Sequence, residues 1–222
     1  MKQKKAIHAA TTILAACLFV VVSGIARADD FSDELAAIQH EWARINYEVT
    51  DKSQKVDAFE SLAARAESFA AANPGRAEPL VWEGIVLSTA AGAKGGLGAM
   101  KLAKQAREKL EAAEKVDPQA LNGSVYTSLG TLYAKVPGWP IGFGDDEKAR
   151  AYLEKAVALN PDGIDPNYFY GEYLYDQGEY SQALAHLEKA LSAPPRPGRE
   201  DADAGRRAEV ESLLAKVRSK AS

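Results

Sequence analysis

Side chains with catalytic or metal-binding chemistry are few and scattered in this sequence of 222 residues. One cysteine, Cys17, and three histidines, His8, His40 and His186, cannot build a structural zinc site, a disulfide framework or a Cys-His catalytic pair. No nucleophile motif lies near His40 or His186, and we expect both on helix surfaces. The sequence therefore predicts no cofactor, no metal site and no catalytic role.

Two acidic groups are the remaining candidates for cation ligands. They are Asp145-Asp146-Glu147 and the pair Asp162 and Asp165. Carboxylates of this kind can hold a hard cation. Because acids at the start of a helix also cap it and favour its dipole, capping is a sufficient reason for both groups.

Phosphate and nucleic acid binding are also disfavoured. The segment 92–99 has four glycines, as phosphate-binding loops do, but it has no preceding strand and no Gly-Lys-Ser/Thr ending. The net charge is −4, and no segment carries the basic cluster that a phosphate backbone requires. We therefore expect no nucleic acid partner.

The elements that carry these residues are helices arranged in a repeat. Segments of helical period alternate with proline and glycine, and none shows a convincing strand alternation, which predicts an all-α fold. Four helices end at Pro74, Pro118, Pro161 and Pro195, which are separated by 44, 43 and 34 residues. A period of 34 with insertions in two units resembles the helix pairs of tetratricopeptide repeat (TPR) proteins.

Small and large apolar residues at the helix crossings carry this resemblance. The unit 165–195 matches the family pattern without a gap, and the two units before it match with insertions at 91–99 and 136–144. The matching positions, from the first of these units to the last, are Gly84, Leu87, Ala106, Leu110, Ala113 and Pro118; Tyr126, Leu129, Gly130, Tyr133, Ala149, Leu153, Ala156 and Pro161; and Gly171, Ala183, Leu187, Ala190 and Pro195. A generic helical bundle, the alternative, would not require small residues at both crossing positions of three units.

The resemblance implies one solenoid domain over residues 29–222. Its first unit, ending at Pro74, matches only in its second helix, so we expect about three and a half helix pairs. A final amphipathic segment, 201–220, is predicted to cap the last repeat, because terminal repeats need one polar face.

The first residues are typical of an export signal. Lys2, Lys4 and Lys5 precede the apolar run 13–22, and Ala26-Arg27-Ala28 offers a cleavage site. We expect cleavage after Ala28, which makes residues 1–28 a signal peptide and the mature protein periplasmic. Two alternatives stay open: a lipoprotein modified at Cys17, and a retained anchor, for which the apolar run is short.

Two sequence segments, 136–145 and 160–171, resemble a narrower group of exported bacterial TPR proteins. These are the proteins grouped with the T-component of TRAP transporters. The resemblance implies a periplasmic helper that associates with a solute-binding protein or binds a small apolar ligand.

The inner groove is the first candidate binding surface. In a TPR array the first helix of each pair lines the groove, and side chains about one turn from the crossing glycine point into it. Tyr168 and Tyr175 have an alternative role, packing on a neighbouring helix. The predicted groove residues are Val81, Ile85, Ser88, Thr89, Thr127, Thr131, Lys135, Tyr168, Glu172, Tyr175 and Asp176.

The two insertions form the second candidate surface. They fall at the same place in consecutive units, so loops there could form one wall of a site. In the second insertion Trp139, Ile141 and Phe143 supply apolar surface for a partner or ligand. The alternative is that Trp139 and Phe143 fill a gap between two helices.

These features together favour a protein that works by binding. The first hypothesis is a periplasmic scaffold or adaptor for a protein partner. The second is a module for a small apolar or amphipathic ligand, within a transport system of the TRAP type.

Overall fold

The computed structural model describes the backbone of residues 14–221 and the side chains of residues 30–220 except residue 97. Residues 1–13 of the predicted signal peptide lie outside this range, and the side chain of Cys17 does as well. The chain divides into two compact units, Met1–Ala37 and Ile38–Ser222. The helix pairs lie in the second unit.

Nine helices lie within the described residues, which contain no β structure beyond one isolated bridge between Gly138 and Gly144. This confirms the predicted all-α fold. None of the described helices is both long and apolar enough to cross a membrane. The helices are α1 (Leu14–Glu48), α2 (Lys52–Ala72), α3 (Ala77–Lys94), α4 (Gly96–Val116), α5 (Ala120–Lys135), α6 (Asp146–Leu159), α7 (Ile164–Asp176), α8 (Tyr180–Leu191) and α9 (Glu200–Ala221).

The helices pack as antiparallel pairs because a glycine on the first helix of each pair admits a leucine from the second. A Cβ added at any of these glycines would lie 2.6 to 2.8 Å from the leucine Cγ, which is closer than real Cβ contacts come. The pairs are Gly84 with Leu110, Gly130 with Leu153, and Gly171 with Leu187. Each of these leucines is fully buried, so the crossings form the centre of the core.

The first insertion is helical, which makes the expectation of a loop at 91–99 wrong. Helix α3 continues to Lys94 and α4 begins at Gly96, so only Gly95 separates them. Gly95 and Gly96 have φ of 68° and 60°, the left-handed region that glycine adopts readily. The extra residues lengthen both helices instead of forming a wall beside the second insertion, although four of the nine are glycines, which disfavour helix.

Helix α9 contacts both ends of the repeat array within the unit Ile38–Ser222. Arg207 of α9 donates hydrogen bonds to the carbonyl oxygens of Leu191, the last residue of α8, and of Ala193. At the other end, Gly205 lies so close to the ring of Tyr47 on α1 that a Cβ there would clash with it. His40 of α1 lies 3.1 Å from Asp201 (Nδ1 to Oδ2). The helices of this unit therefore close into a ring, with α1, α3, α5, α7 and α9 on its inner side.

Candidate functional site

A cavity of about 700 Å³ lies at the centre of this ring. Its walls come from residues 39–47 of α1, from α3, α5 and α7, and from the segment 194–209 that leads into α9. Cavities of roughly 300–1,000 Å³ are the usual size of ligand sites in proteins. The cavity is therefore the candidate functional site.

Aromatic side chains form one wall, which we call the aromatic wall: Trp42, Trp82, Tyr168 and Phe169. Trp42 and Trp82 meet edge to face with ring centroids 6.1 Å apart. The indole Nε1 of Trp42 donates to Thr89 Oγ1 at 3.0 Å, which fixes the ring against α3. These rings offer an apolar surface to a bound group.

Hydroxyl groups line the middle of the cavity. They belong to Ser88 and Thr89 on α3 and to Thr127, Ser128 and Thr131 on α5. Thr131 donates to the carbonyl oxygen of Thr127 at 2.8 Å, and Ser88 donates to that of Ile85 at 2.8 Å. Since a hydroxyl that donates within its own helix keeps free lone pairs, these groups can accept hydrogen bonds from a ligand.

A cluster of charged side chains also lines the cavity, and we call it the charged pole: Asp165, Arg196, Arg199, Arg206 and Glu209. Asp165 accepts hydrogen bonds from Arg196 Nη1 at 2.6 Å and from Arg206 Nε at 2.8 Å. Burial alone would raise the pKa of Asp165, but Arg206 and Arg196 outweigh it and lower the pKa to about 2. Asp165 is therefore ionised at neutral pH and holds two arginines in place.

A left-handed stretch of backbone also borders the cavity. Leu121 and Asn122 have φ of 52° and 55°, which is uncommon for residues with a Cβ, and Gly123 follows with φ of 78°. Leu121 and Asn122 both line the cavity. Strained backbone of this kind is often found at binding sites.

Eight of the eleven predicted groove residues line the cavity. They are Ile85, Ser88, Thr89, Thr127, Thr131, Lys135, Tyr168 and Glu172. The helical phase counted from each crossing glycine therefore brings most of them together. Their role in binding stays a prediction.

Three predicted groove residues lie elsewhere. Val81 is fully buried and does not line the cavity, although Thr127 and Tyr168 do so from the same position relative to Gly130 and Gly171. Tyr175 packs against Tyr180, with ring centroids 5.7 Å apart. Asp176 is exposed and forms an ion pair with Lys135 at 2.7 Å.

The three contact residues predicted in the second insertion, Trp139, Ile141 and Phe143, do not line the cavity. Trp139 and Ile141 are 90% and 72% exposed. Phe143 instead packs edge to face on Tyr133 at 5.7 Å, with the guanidinium of Arg107 4.3 Å above its ring. The gap-filling role therefore applies to Phe143 and not to Trp139.

The two histidines outside the predicted signal peptide differ in their surroundings. His40 is half exposed, as expected for a helix surface. His186 is partly buried, so the expectation of a surface position is wrong for it: its Nδ1 lies 3.0 Å from Asn167 Oδ1, and burial lowers its pKa. Among the described residues, no three His, Cys, Asp or Glu side chains are grouped to hold a metal ion.

Sequence reasoning missed the contributions of α1 and α9. Trp42 lies in the helix of the first unit that did not match the repeat pattern. Arg206 lies in the segment 201–220, which was interpreted only as a cap, and Arg196 and Arg199 lie just before that segment. A signal was present in the spacing of Arg199, Ala202, Arg206 and Glu209, which follows one face of a helix. All four line the cavity.

Paired helices crossing at small residues, stacked side by side and capped by a last helix, define a helical repeat solenoid. Residues 141–217 match the model of the tetratricopeptide repeat family, so this part of the chain is similar to TPR proteins. A comparison with curated proteins gives no match.

Solved structures support the same fold. A thermophilic TPR protein from Thermus thermophilus is 19% identical, with a TM-score of 0.56, over 90% of this chain and 95% of that one. MamA is 20% identical, with a TM-score of 0.44, over 78% of this chain and 94% of that one. PilF of Pseudomonas aeruginosa is 14% identical, with a TM-score of 0.35, over 85% and 93%. The similarity to the Thermus protein supports the fold, and at 19% identity it shows the fold alone. The TM-scores of the other two are too low to support a structural conclusion.

Proposed function

We propose that this protein is a non-catalytic binding protein that holds a segment of a partner protein in its central cavity. The observation that carries the proposal is the cavity itself, whose walls bring the aromatic wall, the hydroxyl groups and the charged pole into one concave surface. TPR domains mediate protein–protein interaction, and their inner helices form the binding surface.

Substitution of Ser128 by tryptophan tests this proposal. Ser128 lines the cavity and is only partly buried, so a large side chain there occupies cavity space without replacing a core residue. Tyr168 is less suitable because it is 8% exposed and its loss would disturb packing. We expect Ser128→Trp to keep the thermal unfolding midpoint and to lose a protein that co-purifies in stoichiometric amount with the wild type.

Ser181→Trp is the matched control. Ser181 is exposed on α8 and does not line the cavity. This variant adds the same indole elsewhere and should retain the partner. A partner that stays bound to a folded Ser128→Trp protein would contradict the proposal and redirect attention to the exposed Trp139 and Ile141.

A small amphipathic ligand is the second candidate occupant. The contacts of Tyr47 with Gly205 and of His40 with Asp201 close the ring around a volume that suits a small molecule. Native mass spectrometry of the purified protein would show a bound organic molecule if this candidate is right and bare protein if it is wrong. The narrower grouping with TRAP transporters has no support among the matched proteins and stays a hypothesis.

We also propose that the protein is exported and that its mature chain begins at Asp29. The support is the basic, apolar and small-residue pattern of residues 2–28. The intact mass of the protein from the periplasmic fraction should correspond to residues 29–222. A mass that includes Met1, or one that carries lipid on Cys17, would contradict this proposal.

A further inference from the structure

Two buried hydrogen-bond donors at the cavity have no partner. They are the indole Nε1 of Trp82 and the guanidinium Nε of Arg199. Trp82 is only 4% exposed, and both side chains line the cavity. The guanidinium carbon of Arg199 lies 5.0 Å from the centroid of the Trp82 ring, so the two side chains that carry these donors pack against each other. Because buried donors are normally paired, this pair points to a group that the protein binds there.

Arg199 differs in this respect from the other two arginines of the charged pole. Arg196 pairs with Asp165 and with Asp203 at 2.6 Å each, and Arg206 pairs with Asp165 and Glu209. Among the described residues, no carboxylate forms an ion pair with Arg199. Burial lowers the pKa of Arg199, and the positive charge of Arg196 lowers it further. An added negative charge would relieve both effects.

The surroundings restrict which anion fits. Asp165 and Glu209 keep two further carboxyl groups near the arginines, so a doubly charged phosphate would meet more repulsion than a singly charged group. A carboxylate matches the planar fork of a guanidinium and can also accept from an indole N–H. The aromatic wall next to Arg199 suits an apolar or aromatic body attached to that carboxylate.

We propose that Arg199 and Trp82 bind the carboxylate of an amphipathic occupant whose apolar body lies on the aromatic wall. This inference rests on the proposed function, since it names the chemistry that the same cavity recognises. The carboxylate has two possible sources, a free organic acid and the C-terminus of a partner protein. Both present the same group to the two donors.

A pair of probes that differ only in the carboxylate tests the inference. We would titrate 4-phenylbutyrate and 4-phenylbutanol into the full mature protein and follow tryptophan fluorescence and calorimetric heat. Because hydrogen bonds to charged groups are strong, we expect the acid to bind about tenfold more tightly than the alcohol. Equal binding, or no binding of the acid at millimolar concentration, would overturn the inference.

Arg199→Gln should remove the preference for the acid and leave the affinity for the alcohol unchanged. Arg199→Lys keeps the charge but loses the fork and the stacking on Trp82, so it should restore only part of the preference. Arg218→Gln is the matched control: Arg218 lies on α9, the helix that follows Arg199, and the change removes one positive charge from an exposed ion pair with Glu188 of α8. A full preference for the acid in a folded Arg199→Gln protein would also overturn the inference.

A second pair of probes separates the two sources. An acetylated peptide of glycine and serine that ends in Leu-Phe would be compared with its C-terminal amide. Tighter binding of the free peptide than of 4-phenylbutyrate indicates a protein terminus, and the reverse order indicates a free acid. If the acid preference fails while Ser128→Trp still loses its partner, the inference is wrong and the proposed function stands. If the acid binds while the partner stays on Ser128→Trp, the proposed protein-binding function is wrong instead.

Discussion

Gly130→Val is expected to destabilise the fold by about 3 kcal/mol or more. A Cβ at this position would lie 2.6 Å from Leu153 Cγ and 3.1 Å from the Leu153 backbone nitrogen, so α5 and α6 would have to separate. The free energy of unfolding from urea denaturation measures the effect.

Gly92→Ala is the control for this prediction. Gly92 lies inside α3, and a Cβ there meets nothing within 4 Å. Alanine in a helix is more favourable than glycine by roughly 0.5–1 kcal/mol, so this variant should be slightly more stable than the wild type. If both glycine variants lost stability equally, the close helix crossing would not be the cause.

Asp165→Asn is expected to destabilise the protein by about 3 kcal/mol. The change leaves the shape almost intact but removes the negative charge that Arg196 and Arg206 share. Each arginine keeps one carboxylate, Asp203 or Glu209, but the group that compensates both positive charges at once is lost, which is costly at a buried site. Asp162→Asn, three residues away, is the matched control. Its side chain is 78% exposed and lies 3.4 Å from Lys189, so its loss should change stability by less than about 0.5 kcal/mol.

The pH dependence of unfolding gives an independent test of the same carboxylate. The pKa of Asp165 is lowered from 3.8 to about 2 in the folded protein. A lowered pKa means that the stabilisation is fully present above pH 4 and is lost as the pH falls towards 2. Between pH 4 and pH 2 the free energy of unfolding of the wild type should therefore fall by about 2 kcal/mol more than that of Asp165→Asn. Parallel pH profiles of the two proteins would contradict the assignment.

Much of the fold follows from features that lie close together in the sequence. Gly84, Gly130 and Gly171 mark the crossings because helical spacing and the need for close backbone approach are local properties. The same spacing places Ile85, Thr89 and other residues towards the cavity. The direction of a side chain was predictable from the sequence where it depends only on the position of the residue around its own helix.

The rest depends on contacts between distant parts of the chain. Nothing local to Tyr47 indicates that Gly205, far along the sequence, packs against its ring. The charged pole likewise combines Asp165 with arginines of the last segment, and no single helix contains that pattern. The junction at Gly95 was missed for another reason, because glycines in a helical context permit either a loop or a sharp turn.

The contact between Tyr47 and Gly205 changes how the molecule should unfold. An open array of repeats behaves as a one-dimensional chain in which each unit contacts only its neighbours and the ends fray first. Joining the first inner helix to the last removes those free ends, so neither terminal helix can open without loss of contacts at both ends of the array. Amide hydrogens of residues 38–48 in α1 and those of α9 should consequently exchange together, in one cooperative unit, instead of in the graded order of an open solenoid.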